Sequence, residues 1–204
     1  MGRGAWLGLA WLLLGAACAG DPEPRLAPLA PDAAILAFGD SLTAGYGVAE
    51  DESYPAQLDR LLTQRVTRSG VSGETTEQGL RRLPGELERH RPDLLLLCLG
   101  GNDFLRRRDA ARTEADLARM IELAREARVP VVLLGVPKPN LLLGGGAELY
   151  ARLAVSYQLP LENEVIASVL ADADLRSDRI HPNARGYERI AHGVRDLLRK
   201  AGAI

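Results

Sequence analysis

Short runs of apolar residues alternate along this chain with stretches in which apolar residues recur every three or four positions. A short apolar run bounded by turn residues is typical of a strand buried on both faces, and the wider spacing is typical of an amphipathic helix. The runs predict five strands, the second and fifth weakly marked, at residues 35–38, 66–71, 94–99, 129–136 and 159–162. Since strands that alternate with helices form a parallel sheet between helical layers, the pattern predicts a three-layer α/β/α fold.

Capping signals locate the helices between these strands. Ser53 precedes Tyr54 and Pro55 and fits an N-cap, because proline is favoured in the first helical turn. Thr75 and Gln78 have the spacing of a capping box. The first predicted helix begins at Ser53, and the second spans residues 75–90. The third runs from about Thr113 (capped towards Asp116) to Arg128. The fourth spans residues 147–157, and the last follows Pro182-Asn183 and continues to Leu198.

The first strand ends abruptly in the sequence Gly39-Asp40-Ser41-Leu42. Glycine permits a sharp turn where a residue with a Cβ would clash. Ligands of open parallel sheets bind in the crevice outside the carboxyl ends of the strands, so Ser41 arrives where a nucleophile is useful. A serine in this place is also a common helix cap or turn residue, and this stretch alone leaves its role open.

Three further polar clusters follow strands or precede helices, namely Ser72-Gly73, Gly101-Asn102-Asp103 and Asp178-x-x-His181. Gly73 fits a turn, or a backbone N–H directed at an anion near a helix N-terminus. The Asn102 amide fits a turn closure, or a donor to a developing oxyanion. Asp178 fits a surface charge and His181 a cap or a packed ring, so each cluster alone is weak evidence for catalysis.

Together the clusters meet the requirements of ester cleavage, which needs a nucleophile, a base, a group that orients the base, and donors for the oxyanion. Ser41, His181 and Asp178 fill the first three roles. The Ser41 N–H, the Gly73 N–H and the Asn102 amide fill the fourth. The set therefore predicts an esterase with Ser41 as its nucleophile.

The same four blocks, in this order, resemble those of the SGNH, or GDSL, hydrolase family. More narrowly, FGDSLTAGYG, SGETTEQGLRRLP, LGGNDFLR and DRIHPNARGY are similar to the bacterial thioesterase I, lysophospholipase and arylesterase group. The similarity covers residues 33–198, and the ordered set is far more specific than any single block.

The resemblance implies a flavodoxin-like sheet of five parallel strands and a catalytic triad of Ser41, Asp178 and His181. It also implies an oxyanion hole formed by Ser41, Gly73 and Asn102. No metal or organic cofactor is expected. The expected partner is a small acyl ester or lipid substrate, and the enzyme is expected to be a monomer.

Candidate substrate contacts lie beside the catalytic blocks. The segment that follows Asn102 corresponds to a loop that contacts the acyl chain in relatives, which makes Asp103, Phe104 and Leu105 candidates, together with Asp40 beside the nucleophile. The run Arg106-Arg107-Arg108 fits a solvated basic loop, or a contact with an anionic head group. A leucine-rich rim from Pro137 to Gly146 suits fatty acyl chains, through Leu141, Leu142 and Leu143.

Composition narrows the classes of function. The 204 residues, 47% hydrophobic and 25% charged, suit one soluble domain with a full core. The net charge of −2 gives no electrostatic argument for binding nucleic acid. Of the two cysteines, Cys98 lies within an apolar run and is predicted to be a small core residue.

The amino terminus has the layout of a secretory signal. A positive start at Arg3 precedes an apolar stretch, residues 5–14, and a small-residue exit, and residues 1–19 are short for a membrane span. Cleavage before Gly20 competes with lipidation of Cys18, the only membrane attachment expected. Residues 20–31 are predicted to be a tether and 32–204 the hydrolase domain, in an exported, periplasmic protein.

Two other functions remain open from the sequence. One is a carbohydrate or peptidoglycan O-acetyl esterase of the same superfamily, although both tryptophans, Trp6 and Trp11, lie in the signal segment instead of a sugar-binding cleft. The other is an envelope lipoprotein that binds acyl chains without cleaving them. That function would require a broken triad, and every triad position is filled.

Overall fold

The structure is a computed structural model that describes residues 24–138 and 147–204. Its strands form one parallel sheet in the order β2-β1-β3-β4-β5. The strands are Ala34–Gly39 (β1), Arg65–Gly70 (β2), Leu94–Cys98 (β3), Val131–Leu134 (β4) and Leu161–Glu162 (β5). The five-stranded parallel sheet predicted from the apolar runs is confirmed, including its two weakly marked strands.

Helices cover both faces of this sheet. They are Ser41–Ala44 (α1), Tyr54–Leu61 (α2), Thr76–His90 (α3), Gly101–Leu105 (α4), Ala110–Glu126 (α5), Glu148–Tyr157 (α6), Val165–Ala171 (α7) and Ala184–Ala201 (α8). On one face α3 packs on α5, and α5 on α6; on the other α8 packs on α2 and α7. Within the described ranges, no helix has the length and apolar character needed to cross a membrane.

The central strands are buried on both faces. All residues of β3 and residues 35–38 of β1 are fully buried. A strand enclosed on two sides gains nothing from alternating polar positions, which explains why these segments are continuous apolar runs. Cys98 is fully buried in this core, as predicted.

The predicted start of one helix was wrong. The helix expected from about Thr113 begins at Ala110, because the Asp109 side chain accepts a hydrogen bond from the Ala111 N–H at 2.9 Å and caps it. Asp116 lies inside that helix. The N-cap position predicted for Ser53 is confirmed, although its hydroxyl donates to the Glu50 carbonyl instead of capping α2.

The predicted capping box is present, since Gln78 Oε1 accepts from the Thr75 N–H at 3.0 Å. The short helices α4 and α7 had not been predicted, because neither is long enough to show a helical period. The fold also begins earlier than residue 32. The N–H groups of Leu26 and Leu29 donate to the carbonyls of Ala201 and Ala203, so this part of the expected tether packs along the end of α8.

The strand order brings two loops together at one edge of the sheet. The order reverses between β1 and β3, the switch point at which open α/β sheets bind ligands. Gly39 pairs with Cys98 across these strands, and a Cβ on Gly39 would lie 2.3 Å from both the Cys98 carbonyl and the Thr43 hydroxyl. Glycine at this position therefore permits the turn that leads to Ser41.

We expect Gly39→Ala and Gly85→Ala to change stability in opposite directions. The added methyl at Gly39 overlaps backbone and should lower the free energy of unfolding by about 1–3 kcal/mol. Gly85 lies on the exposed side of α3 with nothing within 4 Å, so alanine should raise stability by about 0.5–1 kcal/mol. Urea unfolding measures both, and changes of the same sign would contradict the packing described here.

Candidate active site

Ser41 is the first residue of α1, a single helical turn that follows β1 directly. Asp40 occupies the N-cap position, and its Oδ1 accepts a hydrogen bond from the Leu42 N–H at 3.0 Å. The turn ends at Gly45, whose φ of 79° is in the left-handed region that favours glycine. These features hold Ser41 at the carboxyl edge of the sheet.

Ser41, His181 and Asp178 form one chain of hydrogen bonds. Ser41 Oγ lies 3.1 Å from His181 Nε2, and His181 Nδ1 lies 2.8 Å from Asp178 Oδ2. These distances suit a nucleophile, its base and the group that orients the base. The structure thus brings together the three predicted triad residues, although Ser41 and His181 are 140 positions apart.

Asp178 is positioned by the backbone of its own loop. Its Oδ1 accepts hydrogen bonds from the N–H groups of Ile180 and His181, each at 2.8 Å. Partial burial opposes ionisation, but the bonds from His181 and Ile180 outweigh it and hold the pKa of Asp178 below its usual value. Asp178 is therefore a carboxylate at neutral pH.

Tyr46 contacts His181 and had not been singled out as a site residue. Its ring lies against His181, with 4.4 Å between ring centroids and 35° between ring planes. The Tyr187 hydroxyl lies 3.3 Å from the Tyr46 carbonyl and 3.4 Å from the Ser41 carbonyl. Only its position five residues after Ser41 could have indicated this contact.

The predicted oxyanion donor Gly73 lies in a tight turn. The Glu74 N–H donates to the Val71 carbonyl at 3.1 Å, and Gly73 occupies the third position of the turn with a φ of +80°. A type II turn requires this positive φ, which explains the glycine. Arg106 Nη2 donates to the Gly73 carbonyl at 2.9 Å and supports the turn from outside.

Asn102 links the Gly73 turn to Asp40, the residue before Ser41. Its Nδ2 donates to Asp40 Oδ2 and to the Glu74 carbonyl, at 3.1 Å each. Both amide hydrogens thus have acceptors at the edge of the cleft that Asn102 lines. Ser41, Gly73 and Asn102, the predicted oxyanion donors, all border this same cleft.

Asp40 is almost completely buried, with 1% of its surface exposed. Desolvation raises its pKa to about 7, although the hydrogen bonds from Leu42 and Asn102 lower it. The nearby carboxylates of Glu74 and Asp103 add a smaller upward effect. Both oxygens of Asp40 accept hydrogen bonds from the protein, so this side chain orders the site. It also lines the cleft, and its contact with substrate stays a prediction.

Ser41 and His181 border a cleft of about 200 Å³. Its walls are mainly apolar, and the side chains that supply this surface include Leu42, Tyr46, Leu105, Val136, Leu170 and Ile180. Leu105 had been predicted here and is 44% exposed. The other apolar residues had not, because they come from separate elements that meet only after folding.

Two predicted substrate contacts were wrong. Asp103 is fully buried, and its carboxylate accepts from the Thr76 N–H and hydroxyl at 2.9 Å each. It joins α4 to α3 and does not border the cleft. Phe104 is partly buried against the hydrophobic core and does not border the cleft.

Two residues of the arginine run also bind other groups of this chain. Arg106 binds the Gly73 carbonyl, as described above, and Arg108 pairs with Glu77 at 2.8 Å. Neither is a freely solvated side chain. The predicted rim residues Leu141, Leu142 and Leu143 lie outside the described residues, as does Cys18.

Comparison with known proteins agrees with this geometry. Residues 37–189 match the GDSL-like Lipase/Acylhydrolase family. An arylesterase from Vibrio mimicus is 31% identical over 176 residues, which cover 81% of this chain and 88% of the relative. The thioesterase 1/protease 1/lysophospholipase L1 of Escherichia coli (strain K12) is 32% identical over 164 residues, covering 77% of this chain and 79% of the relative.

A solved structure extends the similarity to three dimensions. The psychrotrophic esterase EstA from Pseudoalteromonas sp., in a structure inhibited by monoethylphosphonate, matches with a TM-score of 0.72 at 26% identity. The match covers 83% of this chain and 98% of that one. The chain therefore belongs to the GDSL-like lipase/acylhydrolase, or SGNH hydrolase, family and is a hydrolase of ester bonds.

Proposed function

We propose that this hydrolase cleaves acyl esters, thioesters or lysophospholipids through a covalent acyl-enzyme on Ser41. The observation that carries the proposal is the continuous chain of hydrogen bonds from Ser41 through His181 to Asp178, beside an apolar cleft. The names of the relatives, an arylesterase and a thioesterase/lysophospholipase, support the same range of substrates.

In the acylation step, Ser41 Oγ attacks the carbonyl carbon of the substrate while His181 Nε2 takes the hydroxyl proton. The bond to the leaving alcohol or thiol then breaks, and His181 gives that proton to the departing oxygen or sulfur. A water attacks the acyl-enzyme by the same route and regenerates Ser41. Asp178 remains ionised and holds the Nδ1–H of His181, so that Nε2 faces the nucleophile.

Negative charge that develops on the substrate oxygen needs fixed donors. We assign this role to the N–H groups of Ser41 and Gly73 and to the Asn102 amide. In the free enzyme Asn102 donates to Asp40 and to the Glu74 carbonyl, so one of its hydrogens must be shared with the oxyanion as charge develops. Preorganised donors of this kind contribute a large share of the rate enhancement in acyl transfer.

We further propose that the enzyme is exported, on the strength of the sequence of residues 1–19. The two processing routes differ chemically, since one produces a free amine at Gly20 and the other a lipid on Cys18. Mass spectrometry of the amino-terminal peptide from the mature protein distinguishes them. A mature chain that retained residues 1–19 would contradict export.

Replacing Ser41 with alanine removes the attacking oxygen, and we expect turnover of p-nitrophenyl esters to fall by about a thousandfold or more. The assay compares both proteins on esters from acetate to palmitate. An activated organophosphonate should label the wild type at Ser41 and leave the variant unlabelled. Unchanged turnover in the variant would overturn the mechanism, and activity confined to acetate would favour the O-acetyl esterase alternative.

Leu105→Ala should weaken the use of longer acyl chains selectively. Leu105 borders the cleft, and each lost methylene contact costs about 0.8 kcal/mol, or roughly fourfold in kcat/KM. We expect octanoate hydrolysis to fall by about fivefold to tenfold, with acetate hydrolysis nearly unchanged. Val155→Ala is the matched control, because Val155 lies in α6 and is 80% exposed. An equal loss for both esters would show that Leu105 does not contact the acyl chain.

Asp40 should make the folded state less stable as pH rises. Its pKa is about 7 in the folded state and 3.8 in an ordinary setting, so between these values the folded protein binds more protons than the unfolded chain. Its contribution to the free energy of unfolding should therefore fall from about pH 4 to about pH 7, by at most about 4 kcal/mol. Asp40→Asn should remove that slope in urea titrations, and an unchanged slope would contradict the raised pKa of Asp40.

A further inference from the structure

We propose that the ion pair between Glu74 and Arg82 is a positioning device for the oxyanion site. It holds the Gly73 turn and the Asn102 amide in place relative to Ser41. The inference deepens the proposed function and rests on it, because it assigns a purpose to a group that acts only through the oxyanion donors. Neither side chain borders the cleft or contacts the triad.

The pair has the geometry of a rigid clamp. Arg82 Nε lies 2.8 Å from Glu74 Oε1, and Arg82 Nη2 lies 2.6 Å from Glu74 Oε2. Two parallel charge-assisted bonds fix the orientation as well as the distance of the two groups. The Glu74 side chain is 5% exposed and that of Arg82 22%, so water competes little for these bonds.

Arg82 is itself fixed to the end of the sheet. Its Nη2 lies 3.3 Å from the Gly39 and Ser69 carbonyls, which belong to the carboxyl ends of β1 and β2. Its guanidinium carbon lies 4.0 Å from the centroid of the Phe38 ring. The guanidinium is therefore held by the strand that delivers Ser41.

Glu74 connects Arg82 to the two oxyanion donors Gly73 and Asn102. It directly follows Gly73, and its N–H closes the turn to the Val71 carbonyl. Its own carbonyl accepts the Asn102 amide. One residue thus fixes the backbone of one donor and the side chain of another, and the clamp connects both to the end of β1.

Stability alone does not account for an ion pair here. Replacing a buried pair with apolar residues of similar size is often neutral or stabilising, whereas removing one partner leaves an uncompensated charge. An apolar pair would still fill the space, but it would lack the two directed bonds that orient Glu74. Stability and turnover can therefore be separated by mutation.

The experiment compares four proteins: the wild type, Glu74→Gln, the double variant Glu74→Met/Arg82→Met, and the control Glu86→Gln. Glu86 is the matched control because it is also buried, pairs with Arg89 at 2.9 Å, and approaches Arg82 at 3.8 Å without touching the Gly73 turn. For each protein we would measure Tm, kcat and KM on p-nitrophenyl butyrate, and the rate of Ser41 labelling by an activated phosphonate.

We expect Glu74→Gln to lower kcat and the labelling rate by about 10- to 100-fold with KM within about threefold, because small misplacements of oxyanion donors are costly. The double variant should regain most of the lost Tm but not the lost kcat. Glu86→Gln should lose Tm while its kcat stays within about threefold of the wild type.

The proposal is overturned if the double variant regains kcat together with Tm, if Glu86→Gln loses as much kcat as Glu74→Gln, or if the loss appears in KM alone. Failure of the proposed function is distinguishable from these results. It would appear as a wild type that neither turns over esters nor is labelled at Ser41.

Discussion

The close approach of β1 and β3 at their carboxyl ends is the constraint on which the site depends. Gly39 faces the Cys98 carbonyl across the sheet at a distance that excludes a side chain. The strand order reverses between β1 and β3. The segments that follow these two strands therefore lie on opposite sides of one crevice. Helix α1, which begins at Ser41, and helix α4, which carries Asn102, consequently meet there.

Three buried carboxylates connect the loops around this crevice, and each is accommodated differently. Asp40 accepts backbone and amide donors and has a raised pKa, whereas Glu74 is paired with Arg82. Asp103 accepts from Thr76 at the start of α3. A buried acid is costly unless its oxygens are satisfied, so each fixes its partners in one arrangement. Order at the site arises from these bonds as much as from apolar packing.

The sequence predicted those features that leave a local or periodic signal. Buried strands appear as apolar runs, the Thr75–Gln78 capping box has a fixed spacing, and the Asp178-x-x-His181 pair lies within one loop. Their meeting with Ser41 followed from the rule that parallel strands end at the same edge.

The remaining features depend on contacts between distant segments. The contact of the Tyr46 ring with His181 and the apolar walls supplied by Val136 and Leu170 have no periodicity that a sequence could reveal. Asp103 and Phe104 were misassigned for the same reason, since α4 is too short to show which of its faces is buried. Successive side chains of a helix point in different directions, so the neighbours Phe104 and Leu105 differ in whether they border the cleft.

The most direct test of the account is to trap the acyl-enzyme itself. The wild-type protein would be mixed with excess p-nitrophenyl butyrate, quenched in acid during turnover, digested and analysed by mass spectrometry. The acyl-enzyme mechanism predicts a butyryl group on the peptide that contains Ser41, on the hydroxyl of that residue. Steady turnover with that peptide unmodified, or with the butyryl group on another residue, would contradict it.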